Sequence, residues 1–270
     1  MPVDPNRYAV NLSILFTELE LLERPAAAKA AGFDKVEFWW PFGVAVPSDR
    51  EVDRFVQAVE DAGVSLIGLN FFAGDMPAGE RGVLSNPDRA GEFADNLDVA
   101  VGIAERTGCR AFNALYGNRI DGVDPAKQDD TATESLVRAA RAVGRIGGTV
   151  LVEPVSGMDA YPLKTATDAL AVIDRVHNTG DVDNLRLLFD LYHLRVNGDD
   201  LDAVIDRHAR TIGHVQIADA PGRNEPGTGQ IDFGHYFDKL DAAGYTGPVA
   251  LEYKPSGASA DSFGWIKRGA

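Results

Sequence analysis

Cysteine is nearly missing from this chain of 270 residues: Cys109 is the single one, so no internal disulfide can form. Nothing then calls for an oxidising compartment, and a cytoplasmic protein is expected. Basic residues are scarce as well, 26 against 41 acidic ones. The resulting formal charge of −15 repels phosphate backbones and anionic membrane surfaces, which argues against nucleic-acid and membrane partners. No apolar run reaches the roughly 18 uncharged residues of a membrane-spanning helix. The N-terminal segment carries Asp4, Arg7, Glu18, Glu20 and Glu23 without an apolar stretch, unlike a secretory signal.

A glycine-rich phosphate loop is absent too. The segment after Ser13, ILFTELE, has no glycine, which weighs against a doubly wound nucleotide-binding sheet. What the chain does have is alternation. Short β-rich runs at Ala9–Ser13, Lys35–Phe38, Ser65–Leu69, Arg110–Ala114, Thr149–Val152, Leu185–Phe189, Ile212–Ile217 and Pro248–Leu251 are separated by segments of helical period. In SDREVDRFVQAVEDAG, Ser48 and Glu51 make a capping box, Val52, Phe55, Val56 and Val59 share a face, and Gly63 closes the helix. Asn86 and Pro87 are expected to start another helix, with Phe93, Leu97 and Ala104 on one face and Gly108 past its end. Gly32, Gly63, Gly108, Gly147, Gly180 and Gly244 precede strands, as helix-ending glycines do. No linker or composition break divides the chain. The pattern predicts one domain over residues 1–270, a (β/α)8 TIM barrel in the α/β class, with its active site at the C-terminal ends of the strands.

Polar residues gather at those ends: Asn11 and Ser13, Glu37, Asn70, Asn113, Glu153, Asp190, Gln216 and Glu252. A single strand-end carboxylate is more often a loop cap or a surface ion pair than a ligand. Glu153, Asp190, Gln216 and Glu252, however, end the fifth to eighth strands in succession, so barrel closure brings them round one half of the mouth. Carboxylates that close repel one another unless a cation lies between them. Hard oxygen ligands suit Mg²⁺ or Mn²⁺, and a divalent cofactor is expected on these four residues.

Six segments carry a resemblance to a known family: NLSILF (11–16), VEFWWPF (36–42), AGDMPAGERG (73–82), FDLYH (189–193), HVQIADAPGRNEPGTGQIDF (214–233) and LEYKP (251–255). Together they resemble the hydroxypyruvate isomerase family of the xylose isomerase-like TIM barrels, which also include ketose 3-epimerases and endonuclease IV. The resemblance implies that Glu153, Asp190, Gln216 and Glu252 bind the metal and that Glu153 and Glu252 move the proton. Glutamine at the third metal position fits the isomerases, where ketose 3-epimerases have histidine. His193 matches a residue that holds a substrate oxygen, and Arg223 a substrate-contacting arginine. Asn70, Arg81 and Lys254 complete the expected substrate-facing set, with loop bracing an even alternative for Arg81 and Lys254. The segment after Glu153, PVSGMDAYPLKT, departs from the family's usual PINxxDxPGFxL, leaving Tyr161 and Lys164 unplaced. Self-association into a homo-oligomer is also implied, although no surface patch in the sequence marks it.

The implied reaction interconverts hydroxypyruvate and 2-hydroxy-3-oxopropanoate (tartronate semialdehyde), or a similar small hydroxy-oxo acid, through an enediolate. Rivals on the same barrel are a ketose 3-epimerase, a 2-oxo-tetronate isomerase, a dehydratase and a non-catalytic sugar-binding protein. A three-zinc DNA-repair endonuclease needs many histidines and a basic face, against five histidines and a charge of −15 here. Among the remaining residues, Glu225 is expected to brace Arg223. His214 is expected to make a structural hydrogen bond far from the mouth, and His177, His208 and His235 to lie on helices as surface or packing residues. Trp39, Trp40 and Phe42 are expected to pack in the core or to line the pocket or a subunit contact. Trp265 is expected to pack, and Cys109 to be buried and inert.

Overall fold

A computed structural model of the chain describes residues 7–266. Eight parallel strands close into a barrel in sequence order: β1 (Tyr8–Asn11), β2 (Lys35–Phe38), β3 (Ser65–Asn70), β4 (Ala111–Asn113), β5 (Thr149–Val152), β6 (Leu185–Asp190), β7 (Ile212–Ile217) and β8 (Val249–Leu251). β1 closes on β8 with Tyr8 opposite Val249 and Val10 opposite Leu251. Helices α1 (Arg24–Ala30), α2 (Asp49–Ala62), α3 (Ala90–Thr107), α4 (Pro125–Gly144) and α5 (Ala166–Gly180) follow the first five strands in turn. Helices α6 (Leu191–Val196) and α7 (Leu201–His208) follow β6, and α8 (Phe233–Ala242) follows β7. A 3-10 turn, Ser259–Phe263, follows β8.

The strands are covered on both faces, which is why runs such as TVLV and LRLLFD read as nearly continuous apolar segments rather than alternating ones. α2 has both halves of the capping box formed by Ser48 and Glu51, and Phe55, Val56 and Val59 are its buried face. A second capping box, Thr165 with Asp168, opens α5.

Two local expectations are corrected. α3 begins at Ala90, not at Asn86–Pro87, because the Asn86 side chain accepts the Asp88 N–H and its carbonyl accepts the Arg89 N–H, closing a turn ahead of the helix. Gly180 is the last residue of α5, and the left-handed residue that ends this helix is Asp181 at φ 50°. Gly180 is required instead by packing: a Cβ there would lie 2.4 Å from a methyl of Val137 on α4.

Candidate active site

Barrel closure places the predicted side chains at one end of the strands. Glu153 follows β5, Asp190 is the last residue of β6, Gln216 lies near the end of β7 and Glu252 follows β8. Ligand atoms of Glu153, Asp190, His193 and Glu252 all lie within 4.8 Å of one another, and all four residues are buried. Gln216 joins them, its Nε2 donating to Glu252 Oε1 at 3.1 Å. Asp190 also caps α6: its Oδ1 accepts the N–H groups of Tyr192 at 2.7 Å and His193 at 3.2 Å. The cap fixes both the carboxylate and the first turn that carries His193.

Crowding shows in the protonation of these acids. Burial, then the neighbouring Glu252 and Asp190 carboxylates, raises the Glu153 pKa well above the ordinary carboxylate range. Burial and Glu252 push Asp190 up to about 7, and burial also raises Glu252, although Arg223 opposes it. Three acids that resist ionising together are a donor set in want of positive charge. Gln216 adds an independent sign. Its Nε2 is committed to Glu37 Oε1 at 2.7 Å and to Glu252 Oε1, and its buried Oε1 has no partner among the described residues. An unpartnered carbonyl oxygen beside three carboxylates has the chemistry to hold a hard divalent cation.

His193 is assigned a different part by its other nitrogen. The Ser156 backbone N–H donates to Nδ1 at 3.0 Å, with the Ser156 hydroxyl 2.7 Å away, so Nδ1 is the acceptor and the neutral ring carries its proton on Nε2. Burial, then Arg223 and Arg81, holds the ring neutral, its pKa well below the usual value. Nε2 stands 3.8 Å from Asp190 and 3.9 Å from Glu153. It faces the cluster as a hydrogen-bond donor, not as a ligand.

Above the cluster opens a cavity of about 850 Å³, with Trp39, Trp40, Phe42, Phe72, Met76 and Leu115 in its walls beside Glu153, His193, Arg223 and Glu252. Trp39 also donates its indole N–H to Glu252 Oε1 at 2.7 Å. Arg223 donates to Glu252 Oε2, its buried Nε has no partner among the described residues, and its guanidinium lies 5.4 Å from the Tyr192 ring centroid. The Arg223 backbone is left-handed at φ 58°, a conformation that costs a non-glycine residue of order 1–3 kcal/mol. Its loop is over-determined by buried Asp219, whose two oxygens collect the N–H groups of Ala220, Gly227, Gly229 and Ile231. Arg81 lines the same cavity and donates to the carbonyls of Met76 and Glu80. Asn70 lines it too.

Other residues fall elsewhere. Lys254 is exposed and outside the cavity wall; its backbone N–H holds the Arg223 carbonyl at 2.7 Å. Glu225 does not brace Arg223; it accepts from the Ser256 backbone N–H and hydroxyl, tying its loop to the segment after β8. Tyr161 is fully buried, donating to the Glu153 carbonyl at 2.9 Å and accepting from Tyr116 N–H at 3.0 Å, while Lys164 turns to the Met158 carbonyl. Cys109 is buried, its thiol pushed up to about 12 by burial.

Two contacts escaped sequence reasoning. One is the Trp39 bond to Glu252. The other is a buried pair, Glu37 Oε2 with His214 Nε2 at 2.7 Å. The usable signal was the spacing in GHVQI: His214 and Gln216 are two apart on one strand and so share a face.

Comparison with known proteins places this arrangement. Residues 25–269 match the xylose isomerase-like TIM barrel family. A putative hydroxypyruvate isomerase of Streptomyces coelicolor is 54% identical over 98% of this chain and 96% of its own length. The 2-oxo-tetronate isomerase of Cupriavidus necator is 33% identical over 97% of this chain and 97% of its own. The hydroxypyruvate isomerase of Escherichia coli is 32% identical over 96% and 98%. A crystal structure from Brucella melitensis, described as an AP endonuclease of family 2, superposes with TM-score 0.87 at 33% identity, covering 97% of this chain and 98% of that one. With a closed barrel and this set of acids at its mouth, the chain belongs to the hydroxypyruvate isomerase family of the xylose isomerase-like TIM barrels, and is an isomerase.

Proposed function

We propose that this isomerase interconverts hydroxypyruvate and 2-hydroxy-3-oxopropanoate, or a close hydroxy-oxo acid, with Mg²⁺ or Mn²⁺ held by Glu153, Asp190, Gln216 and Glu252. The reading is carried by one juxtaposition: the crowded acids and Gln216 Oε1 lie beside Arg223, a half-buried guanidinium whose buried Nε, like Gln216 Oε1, has no partner among the described residues. The first group suits a divalent cation and the second an anionic substrate. A divalent ion so held would supply charge stabilisation to the oxygens of the enediolate, lowering the barrier by several kcal/mol.

The chain's own residues account for the rest. Arg223 and Arg81 hold the substrate carboxylate, Arg223 through its planar fork. His193 donates from Nε2 to a substrate oxygen. Glu153 is the better base, because its Oε2 is engaged by Asn113 at 2.6 Å while Oε1 accepts no hydrogen bond among the described residues, His193 Nε2 standing 3.9 Å away. Glu252 accepts four hydrogen bonds, from Asn11, Trp39, Gln216 and Arg223. It serves as the partner acid that handles the oxygen-bound proton. In the forward direction a proton leaves C3 of hydroxypyruvate to Glu153 and returns at C2, while a hydroxyl proton passes from O3 to O2. The aromatic wall of Trp39, Phe42 and Phe72 limits water at the reacting carbons.

Metal-loaded protein incubated with hydroxypyruvate in D₂O and followed by NMR tests this directly. Deuterium at C2 of the product aldehyde is expected, with no exchange on fructose or tagatose. Turnover of the ketoses alone would reassign the chain to the epimerases. A 2-oxo-tetronate is the one competing substrate a specific observation favours: the cavity of about 850 Å³, walled by Trp40 and Met76 as well as by the acids, has room for a fourth carbon.

A further inference from the structure

Barrel interiors are filled by layers of branched apolar side chains, yet here one layer contains a carboxylate and an imidazole. Glu37 on β2 and His214 on β7 meet across the barrel at 2.7 Å, both buried. Such a pair is weak grounds for stability, since desolvation of its two groups offsets their attraction. Its placement suggests another purpose. Glu37 Oε2 takes the His214 Nε2 bond, while Oε1 accepts from Asn11 Nδ2 at 2.9 Å and Gln216 Nε2 at 2.7 Å. Three donors converge on one carboxylate that contributes acceptors only. Space for it is reserved on the paired strand: a Cβ at Gly68 would lie 3.1 Å from Glu37 Oε2.

The consequence falls on Gln216. An amide can turn over, exchanging its oxygen and nitrogen at little steric cost. Here its nitrogen is held on both sides by carboxylate oxygens, Glu37 Oε1 and Glu252 Oε1. Turned over, the amide would set its oxygen against two acceptors. We propose that Glu37, fixed by His214, is a positioning residue that locks the Gln216 amide with its oxygen free for a cation and so sets the metal affinity of the site. The inference rests on the metal-binding reading above.

The test is Mn²⁺ binding to chelator-stripped protein, measured by calorimetry and by loss of the free-ion paramagnetic resonance signal, with thermal unfolding of each variant. Glu37→Leu removes the acceptor. It is expected to weaken Mn²⁺ about 10- to 100-fold, the usual range for partners that orient metal ligands, and to lower the unfolding temperature of the stripped protein, because His214, Asn11 and Gln216 lose their acceptor. Glu37→Gln keeps a carbonyl oxygen for Asn11 and Gln216, and is expected to stay within about threefold of wild type. Equal loss in the glutamine and leucine variants would mean that the charge at 37 acts by itself, and would overturn the proposal. In a Gln216→Leu background, Glu37→Leu should cause no further loss; an undiminished loss there also overturns it. Should the leucine variant fail to fold, Glu37→Gln decides alone, retention supporting the orientation role and a tenfold loss excluding it. Wild-type protein that binds no Mn²⁺ would sink the metal reading itself, an outcome distinct from tight binding that is indifferent to residue 37.

Discussion

Arg223 Nη2 lies 2.5 Å from Glu252 Oε2, so the cation proposed to face the substrate is also the counter-charge of one acid of the proposed metal site. Both partners are buried or nearly so, with side-chain exposures of 19% and 4%. Removing one partner of such a pair leaves a desolvated charge uncompensated and costs about 2–5 kcal/mol. Arg223→Ala is therefore expected to lower kcat/KM for hydroxypyruvate by at least about 100-fold. Arg223→Lys restores charge without the fork and should recover only part of it. Steady-state kinetics on the two variants checks the order.

Glu153→Gln should reduce kcat by about 10²–10⁴-fold, the usual contribution of a general base. Deuterium incorporation from D₂O should fall in parallel, because the same group is proposed to carry the carbon-bound proton. A variant that loses turnover but still exchanges deuterium would place the base elsewhere.

The raised acids give the metal-free protein a distinctive pH dependence. Asp190 is pushed up to about 7 by burial and Glu252, and Glu153 well above its ordinary value by burial and its neighbouring acids. Unfolded, such groups titrate near 4. Between those limits the native state binds more protons, so stability rises as pH falls from about 7 toward 4 and is lost as pH rises, by up to about 1.4 kcal/mol per pH unit for each proton. His193 opposes this below its ordinary value near 6.5, since burial, Arg223 and Arg81 keep the native ring neutral, but it is one group against three raised acids, and Glu37, whose pKa is lowered through His214 and the amides against the effect of burial, acts only at lower pH. Thermal unfolding of chelator-treated protein should give a higher Tm at pH 5.5 than at 7.5. Asp190→Asn should flatten the difference, and metal affinity should climb with pH over the same range.

Tyr161→Phe removes a buried hydroxyl that serves both the Glu153 carbonyl and the Tyr116 N–H. Two backbone groups lose their partner, a penalty of about 2 kcal/mol, and Tm should drop by roughly 4–8 °C. Differential scanning calorimetry measures it.

Gly82 sits at φ +105°, and a Cβ there would fall 1.9 Å from the Leu115 carbonyl. Gly82→Ala must displace the adjoining Arg81. The expected outcome is a raised KM with metal affinity unchanged, which would separate the part in substrate binding proposed for Arg81 from the proposed metal site.

The barrel and its mouth were legible because both depend on local pattern: each strand announces itself by a short apolar run, and its last polar residue points to the site. Contacts across the barrel were not. Nothing near Glu37 in sequence indicates His214, 177 positions away, or shows that Trp39 will reach Glu252. Such pairs are created by closure of β1 on β8 and by the inward direction of alternate residues, so they appear only once register is fixed. Loop charges misled for a related reason. Glu225 was expected on Arg223 because they are close in sequence, whereas the loop sends it to Ser256. The turn before α3 shows the limit of capping rules, since Asn86 closes a local turn as readily as it starts a helix.

The four amide bonds that Asp219 gathers have a consequence for redesign. The arginine's perch is frozen when the chain folds, so a ligand meets it without having to arrest a moving strap. If the proposed anionic substrate is the right one, retargeting this barrel to an uncharged sugar means exchanging the whole 219–231 segment as a cassette, because a point replacement at 223 would leave the Asp219 scaffold in place.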